Sequence, residues 1–195
     1  MNNKLSFKNE IARKLLHLTA LIIPAAYLRI NNLFFVNSFI SVLFLSIIFL
    51  ELMKKNNTII WKIFNSFFNP FIRKYEYKKP MGSSYMIFSF FLIILFFNKT
   101  IVATSMFITI ISDALAAIIG LRYGKLKTIN NKTLEGSYAF LVSTIIILFI
   151  STTNLSLYVI TIISIIITAI EAFTPMEYDN LTVPIFSAII LTLVI

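Results

Sequence analysis

The sequence predicts an all-α integral membrane protein with about seven transmembrane helices and an amphipathic helix lying on the inner membrane surface. Three observations predict it. The 195 residues are 58% hydrophobic, and their mean hydropathy of +0.90 lies far above that of a soluble domain. The apolar runs approach the ~17–25 residues that cross a bilayer as helix. Nearly all charged and helix-breaking residues fall at one edge of those runs. Backbone groups left unpaired in hydrocarbon are costly, so the runs are expected as helices. They lack the polar alternation of a transmembrane β-barrel.

The spans read in order as 11–28, 33–52, 82–97, 100–121, 136–151, 155–173 and 181–195. With the N-terminus inside, the inner side receives Lys4, Lys8, Arg13 and Lys14, then the basic residues of 54–79, then Arg122, Lys125, Lys127 and Lys132. The outer side receives Arg29 and Lys99 alone. That asymmetry sets a multi-pass topology with a cytoplasmic N-terminus. Residues 56–80 are an interfacial cytoplasmic segment rather than a span. Ile59, Trp61, Ile63, Phe64, Phe67 and Phe68 alternate there with Lys62, Asn65, Ser66 and Asn69, a mixture that suits the headgroup boundary. The whole of 1–195 reads as one domain. No secretory signal is expected, because the first run lacks a small-residue cleavage site and further runs follow it. With no Cys, disulfides and thiolate sites are excluded. The net charge of +9 is assigned to topology and lipid headgroups, with no nucleic-acid partner.

Five clusters stand at the inner edge. In the first, Glu10, Lys14 and His17 share a helix face beside Arg13; phosphate contact or proton handling suits them. In the second, Lys78 to Ser84, Ser83 or Ser84 is placed to cap a helix whose free N–H groups favour an anion. The third runs from Ser112 to Lys125. Ser112, Ala116, Gly120 and Gly124 recur every four residues, so another backbone can approach closely. Asp113 sits inside the apolar run, where a carboxylate needs a metal or a basic partner, and Arg122 and Lys125 follow it. The fourth, Asn131 to Ser137, offers Lys132 as point charge, Thr133 as hydroxyl, Glu135 as a carboxylate and Gly136 as a small contact. The fifth places Glu171, Glu177 and Asp179 within nine residues, beside Asn180, with no basic neighbour in sequence. Such carboxylates repel one another, and Mg²⁺ shared with phosphate oxygens is one remedy. Carboxylates, lysines and capped helix starts together suit a polyphosphate with Mg²⁺. Gly124-Lys125 lacks the glycine spacing of a P-loop.

Taken together these motifs resemble the CTP-dependent lipid kinases: dolichol kinase, phytol and farnesol kinase, and the CTP-dependent diacylglycerol kinase of yeast. The matching pieces are Arg13-Lys14-x-x-His17, Gly82-Ser83-Ser84, Asp113 through Gly120 to Gly124-Lys125, Lys132-Thr133-x-Glu135-Gly136-Ser137, and Glu171 through Asp179-Asn180 to Pro184. They occur in order between residues 10 and 184. The resemblance implies transfer of the CTP γ-phosphate, with Mg²⁺, to an isoprenoid alcohol or diacylglycerol held in the membrane. Asp113, Glu135 and Asp179 are the expected catalytic carboxylates, and Asp113, Glu171 and Asp179 the expected metal ligands. Arg13, Lys14, His17, Ser83, Gly120, Arg122, Gly124, Lys125, Lys132, Thr133, Gly136 and Asn180 are expected to surround the nucleotide. The family is related to the CTP:phosphatidate cytidylyltransferases, whose C-terminal signature this chain lacks; cytidylyl transfer is the alternative. A lipid transporter is the non-enzymatic alternative. It would need polar residues through the bilayer centre, where the spans are nearly all apolar.

Overall fold

The computed structural model describes residues 7–128, 130, 132–152 and 155–195. Lys4 and Asn131, counted above in the topology and the fourth cluster, lie outside them. Ten α-helices and no strand are found among the described residues. They are α1 (Phe7–Thr19), α2 (Ile22–Arg29), α3 (Leu33–Lys55), α4 (Ile59–Phe68), α5 (Gly82–Phe96), α6 (Lys99–Phe107), α7 (Asp113–Tyr123), α8 (Leu134–Ser151), α9 (Leu157–Phe173) and α10 (Asp179–Thr192).

Four helical stretches are long and apolar enough to cross a membrane: Phe7–Arg29, Leu33–Lys55, Lys99–Tyr123 and Leu134–Ser151. Three further expected spans are shorter apolar helices, Gly82–Phe96, Leu157–Phe173 and Asp179–Thr192. The first stretch is broken between α1 and α2, so the expected single helix over 11–28 is two pieces. Pro24 falls in the first turn of α2, where its missing N–H costs little. Lys99–Tyr123 is continuous, but residues Ile108–Ser112 open into a π-turn. Two-thirds of its most apolar window (67%) is buried against 11% for Leu33–Lys55, so α6 and α7 form the centre and α3 the edge.

The helix starts follow local rules. Asn32, Thr58, Asn98, Thr133 and Ser156 each accept a backbone N–H of the first turn through the side chain, satisfying a donor with no partner inside the helix. The core is built from Phe90, Ile101, Met106, Ile108, Ile110, Phe140, Leu148, Ile160, Ile167 and Leu191. Buried hydroxyls are bonded locally: Ser164 donates to Ile160 O at 2.8 Å and Ser143 to Ala139 O at 2.8 Å. Thr144 reaches across from α8 to Ser112 Oγ, 3.1 Å away. The outside carries large exposed apolar side chains, among them Phe34, Phe96, Phe149 and Ile150.

The segment after α3 forms α4, as the mixed aromatic and polar pattern predicts, followed by 3₁₀ turns at Asn69–Phe71 and Lys74–Tyr77. Trp61 is buried with Ile72 and Met81, while Ile59, Ile63 and Phe67 are exposed on the other side.

Candidate functional site

The site grows from the first turn of α7. Asp113 directly follows the π-turn and is buried. Lys14 of α1, also buried, donates to Asp113 Oδ2 from 99 positions away in sequence. This supplies the basic partner that was one of the two remedies the sequence offered for a carboxylate there. His17, one turn further along α1, places Nε2 3.6 Å from the same oxygen, and that nitrogen is buried without a hydrogen-bond partner. A π-turn widens the helix by one residue, and here it sits immediately before the residue that faces α1.

Around this pair a charged rim closes. Glu10 accepts from Arg13 Nε at 3.1 Å and from Arg73 Nη2 at 2.6 Å, so α1 is tied to the turn before α5. Burial opposes the charge on Arg73, yet Glu10 holds its guanidinium above its ordinary pKa. Glu76 accepts from the N–H groups of Arg73 and Gly82, each at 2.7 Å. Glu51 accepts from Met81 N at 2.8 Å and from Ser84 Oγ at 2.5 Å. The start of α5 is therefore held by two protein carboxylates. Neither Ser83 nor Ser84 caps it through a side-chain bond, a correction to the expected serine cap.

The rim continues through Asn180, whose Nδ2 donates to Gly82 O at 3.0 Å. A β-carbon added at Gly82 would lie 3.2 Å from Asn180 Nδ2, 3.3 Å from Glu76 Oε1 and 3.7 Å from Arg13 Nη1. Four of the five sequence clusters are thereby in mutual reach. Lys132 reaches Glu171 Oε1 and Asp179 Oδ1, both at 2.8 Å, and the Glu171 carbonyl. It joins the end of α9 to the start of α10. Burial would lower Lys132, but the two carboxylates hold it above its ordinary pKa. Glu177 pairs with Lys79 at 2.6 Å. The repulsion expected among Glu171, Glu177 and Asp179 is thus relieved by lysines brought from other segments. Asp113 lies close enough to Glu171 and Asp179 for the three carboxylates to repel one another.

The small residues of the third cluster meet the fourth. An added β-carbon at Gly120 would fall 2.7 Å from Thr133 Oγ1 and 3.6 Å from Gly136 Cα; one at Gly136 would fall 2.9 Å from Ala116 O. One at Gly124 would fall 2.5 Å from Thr133 Cγ2. This is the close helix approach that small residues permit.

Some expected residues stand apart. Arg122 and Lys125 are exposed, Arg122 lying over the Tyr123 ring at 5.3 Å, and Ser83 is exposed at the start of α5. Glu135 lies in the first turn of α8, where Oε1 accepts from Lys125 N of the preceding turn at 2.9 Å. Arg73, Glu51 and Glu76 were not picked out as site residues. Glu76 stands alone as an acid within a basic segment from Arg73 to Lys79, a usable signal, whereas nothing around Glu51 marks it.

Among the described residues no three His, Asp or Glu side chains form a ready metal cage. The donor set instead fits a Mg²⁺ that keeps phosphate and water oxygens and takes one or two carboxylates. Glu171 Oε2 is buried with no hydrogen-bond partner, and Asp179 stands beside it on Lys132. Those two carboxylates are the groups that would hold such an ion.

No family model matches the chain, and no solved structure matches it. A protein of Rickettsia prowazekii (strain Madrid E), "Uncharacterized protein RP860", is 34% identical over an alignment that covers 92% of this chain and 91% of that protein.

Proposed function

The chain belongs to the family of that Rickettsia prowazekii protein, and we propose that it is a membrane-embedded kinase that moves the γ-phosphate of CTP to the hydroxyl of a lipid alcohol. The acceptor is an isoprenoid alcohol or a diacylglycerol whose tail stays in the bilayer. One observation carries the reading: Lys14–Asp113–His17, Lys132–Glu171–Asp179 and Arg13–Glu10–Arg73 meet on a single rim. Phosphoryl transfer requires mainly positioning and charge neutralisation, and this rim holds both signs of charge in a largely buried setting. The choice of CTP comes from the motif resemblance of the sequence.

In this reading all seven apolar helices cross the membrane, and the rim faces the cytoplasm. The shortest, α10, has 14 residues and rises roughly 21 Å, less than the ~30 Å hydrocarbon core. It packs against α5, α6 and α9. The exposed phenylalanines and isoleucines of the outer surface contact lipid. α4 lies at the cytoplasmic interface, with Ile59, Ile63 and Phe67 turned into the headgroup boundary. Mg²⁺ would supply charge neutralisation on the phosphates. Lys14 and Lys132, the buried cations, would then bind and orient the phosphates.

The test is transfer of label from CTP carrying a radioactive γ-phosphate, with Mg²⁺, to a panel of prenols and diacylglycerol by the purified protein. A labelled phospholipid together with CDP is the expected product. Pyrophosphate with a CDP-lipid would mean cytidylyl transfer instead. No labelled lipid from any acceptor, with CTP or other nucleoside triphosphates, would overturn the kinase reading.

A further inference from the structure

We infer that the groove between α7 and α8 seats a neutral lipid alcohol, its tail along the groove and its hydroxyl on the free oxygen of Glu135. The inference rests on the lipid-alcohol reading above for the class of ligand, and it is independent of the phosphate donor.

The groove encloses about 540 Å³ and is lined by Leu115 and Ile119 of α7 and by Tyr138, Val142 and Ile146 of α8. From Glu135 to Ile146 it follows α8 for about three turns, roughly 16 Å. Its walls are apolar, and in a membrane chain a groove open along its side takes up hydrocarbon. Polarity is confined to a few places. Tyr138 is largely exposed. Ser143 is already spent on Ala139 O and Phe140 O.

Glu135 is different. Its Oε1 holds the N–H groups of Lys125 and Leu126, which fixes the side chain at the end of the groove beside the turn from α7 to α8. Its Oε2 is buried with no hydrogen-bond partner. A buried acceptor without a donor is costly, so the groove carries one unfilled hydrogen-bond position at the polar end of an apolar trough. The complementary molecule has a long apolar tail and a head that donates one hydrogen bond. A phosphate or carboxylate head is excluded by repulsion from Glu135. A cationic head is disfavoured by Lys125, whose charge acts on Glu135. A neutral hydroxyl meets every condition.

The experiment uses the full chain in lipid nanodiscs without nucleotide. The probe is a long-chain prenol with a photoreactive diazirine at the far end of its tail, competed against the unlabelled prenol and its methyl ether, which cannot donate. Adducts are expected on 115–119 and 138–146. The alcohol should compete roughly tenfold better than the ether, the loss expected for one hydrogen bond to a charged group. Val142→Trp, which fills the trough, should abolish labelling. Glu135→Gln keeps an oxygen for Lys125 and Leu126 and should remove the preference of alcohol over ether; it covers the case in which Val142→Trp does not fold. Adducts elsewhere, or equal competition by the ether in the natural protein, would overturn the inference as ordinary boundary lipid. Specific labelling without phosphate transfer from any nucleotide would leave the groove standing and sink the kinase reading. Transfer with an unlabelled groove would sink the groove alone.

Discussion

Lys14 and Asp113 show how a charge survives inside an apolar helix. Each is buried, and each is tolerable only because the other is present. Removing one partner of such a pair costs about 3–5 kcal/mol, whereas replacing both with apolar groups is often neutral. Lys14→Met and Asp113→Leu should therefore each sharply lower the thermal unfolding temperature in detergent, and the double variant should recover most of the loss. If the pair serves the chemistry, that recovered protein is folded and inert. A double variant as unstable as either single would assign the burden to His17 or Arg13 instead. The sequence marked Asp113 because an acid within an apolar run demands a partner. It did not reveal that the partner is Lys14, since pairing across 99 positions is a property of helix packing. The three carboxylates near Asp179 were read as calling for a cation, and two lysines meet that need.

The packing of α7 on α8 is set by absent side chains. Gly120 and Gly136 lie against each other, with Thr133 between them capping α8 at 3.2 Å to Gly136 N. The neighbour that a methyl at Gly136 would strike is the backbone carbonyl of Ala116, which moves only if the helix moves. Gly136→Ala should destabilise the protein by about 1–3 kcal/mol, the usual cost of overpacking. Leu134→Ala, at a half-exposed site, should stay near neutral. Chemical unfolding in detergent compares the two, and equal losses would mean that the helices are not locked at the glycines. The four-residue spacing of small residues made this contact readable in advance, as the mixture of aromatic and polar residues did for α4. The π-turn and the break between α1 and α2 were not readable. Hydropathy registers which residues are apolar and is blind to a one-step slip of the hydrogen-bond ladder.

In the proposed topology, charge and hydrocarbon are separated along one axis. All eight acids take part in ion pairs or accept backbone N–H groups. The absence of Cys makes the arrangement measurable. Under the seven-span reading, K99C should react with a membrane-impermeant maleimide in intact cells, and K78C only after permeabilisation. Labelling of both from outside would remove the cytoplasmic assignment. The identity of the rim's partners was less legible than its existence, because Glu51 and Glu76 reach it only through the folded turns around α5. The buried lysines rest on carboxylates of this chain, Lys14 on Asp113 and Lys132 on Glu171 and Asp179. A lone anion that captured Lys14 or Lys132 would strand a carboxylate in a dry place, and a lone cation that captured the carboxylate would strand the lysine. Visitors of opposite sign arriving as a couple would strand neither, and under the kinase reading the rim would exchange one set of partners for another and refuse half an exchange.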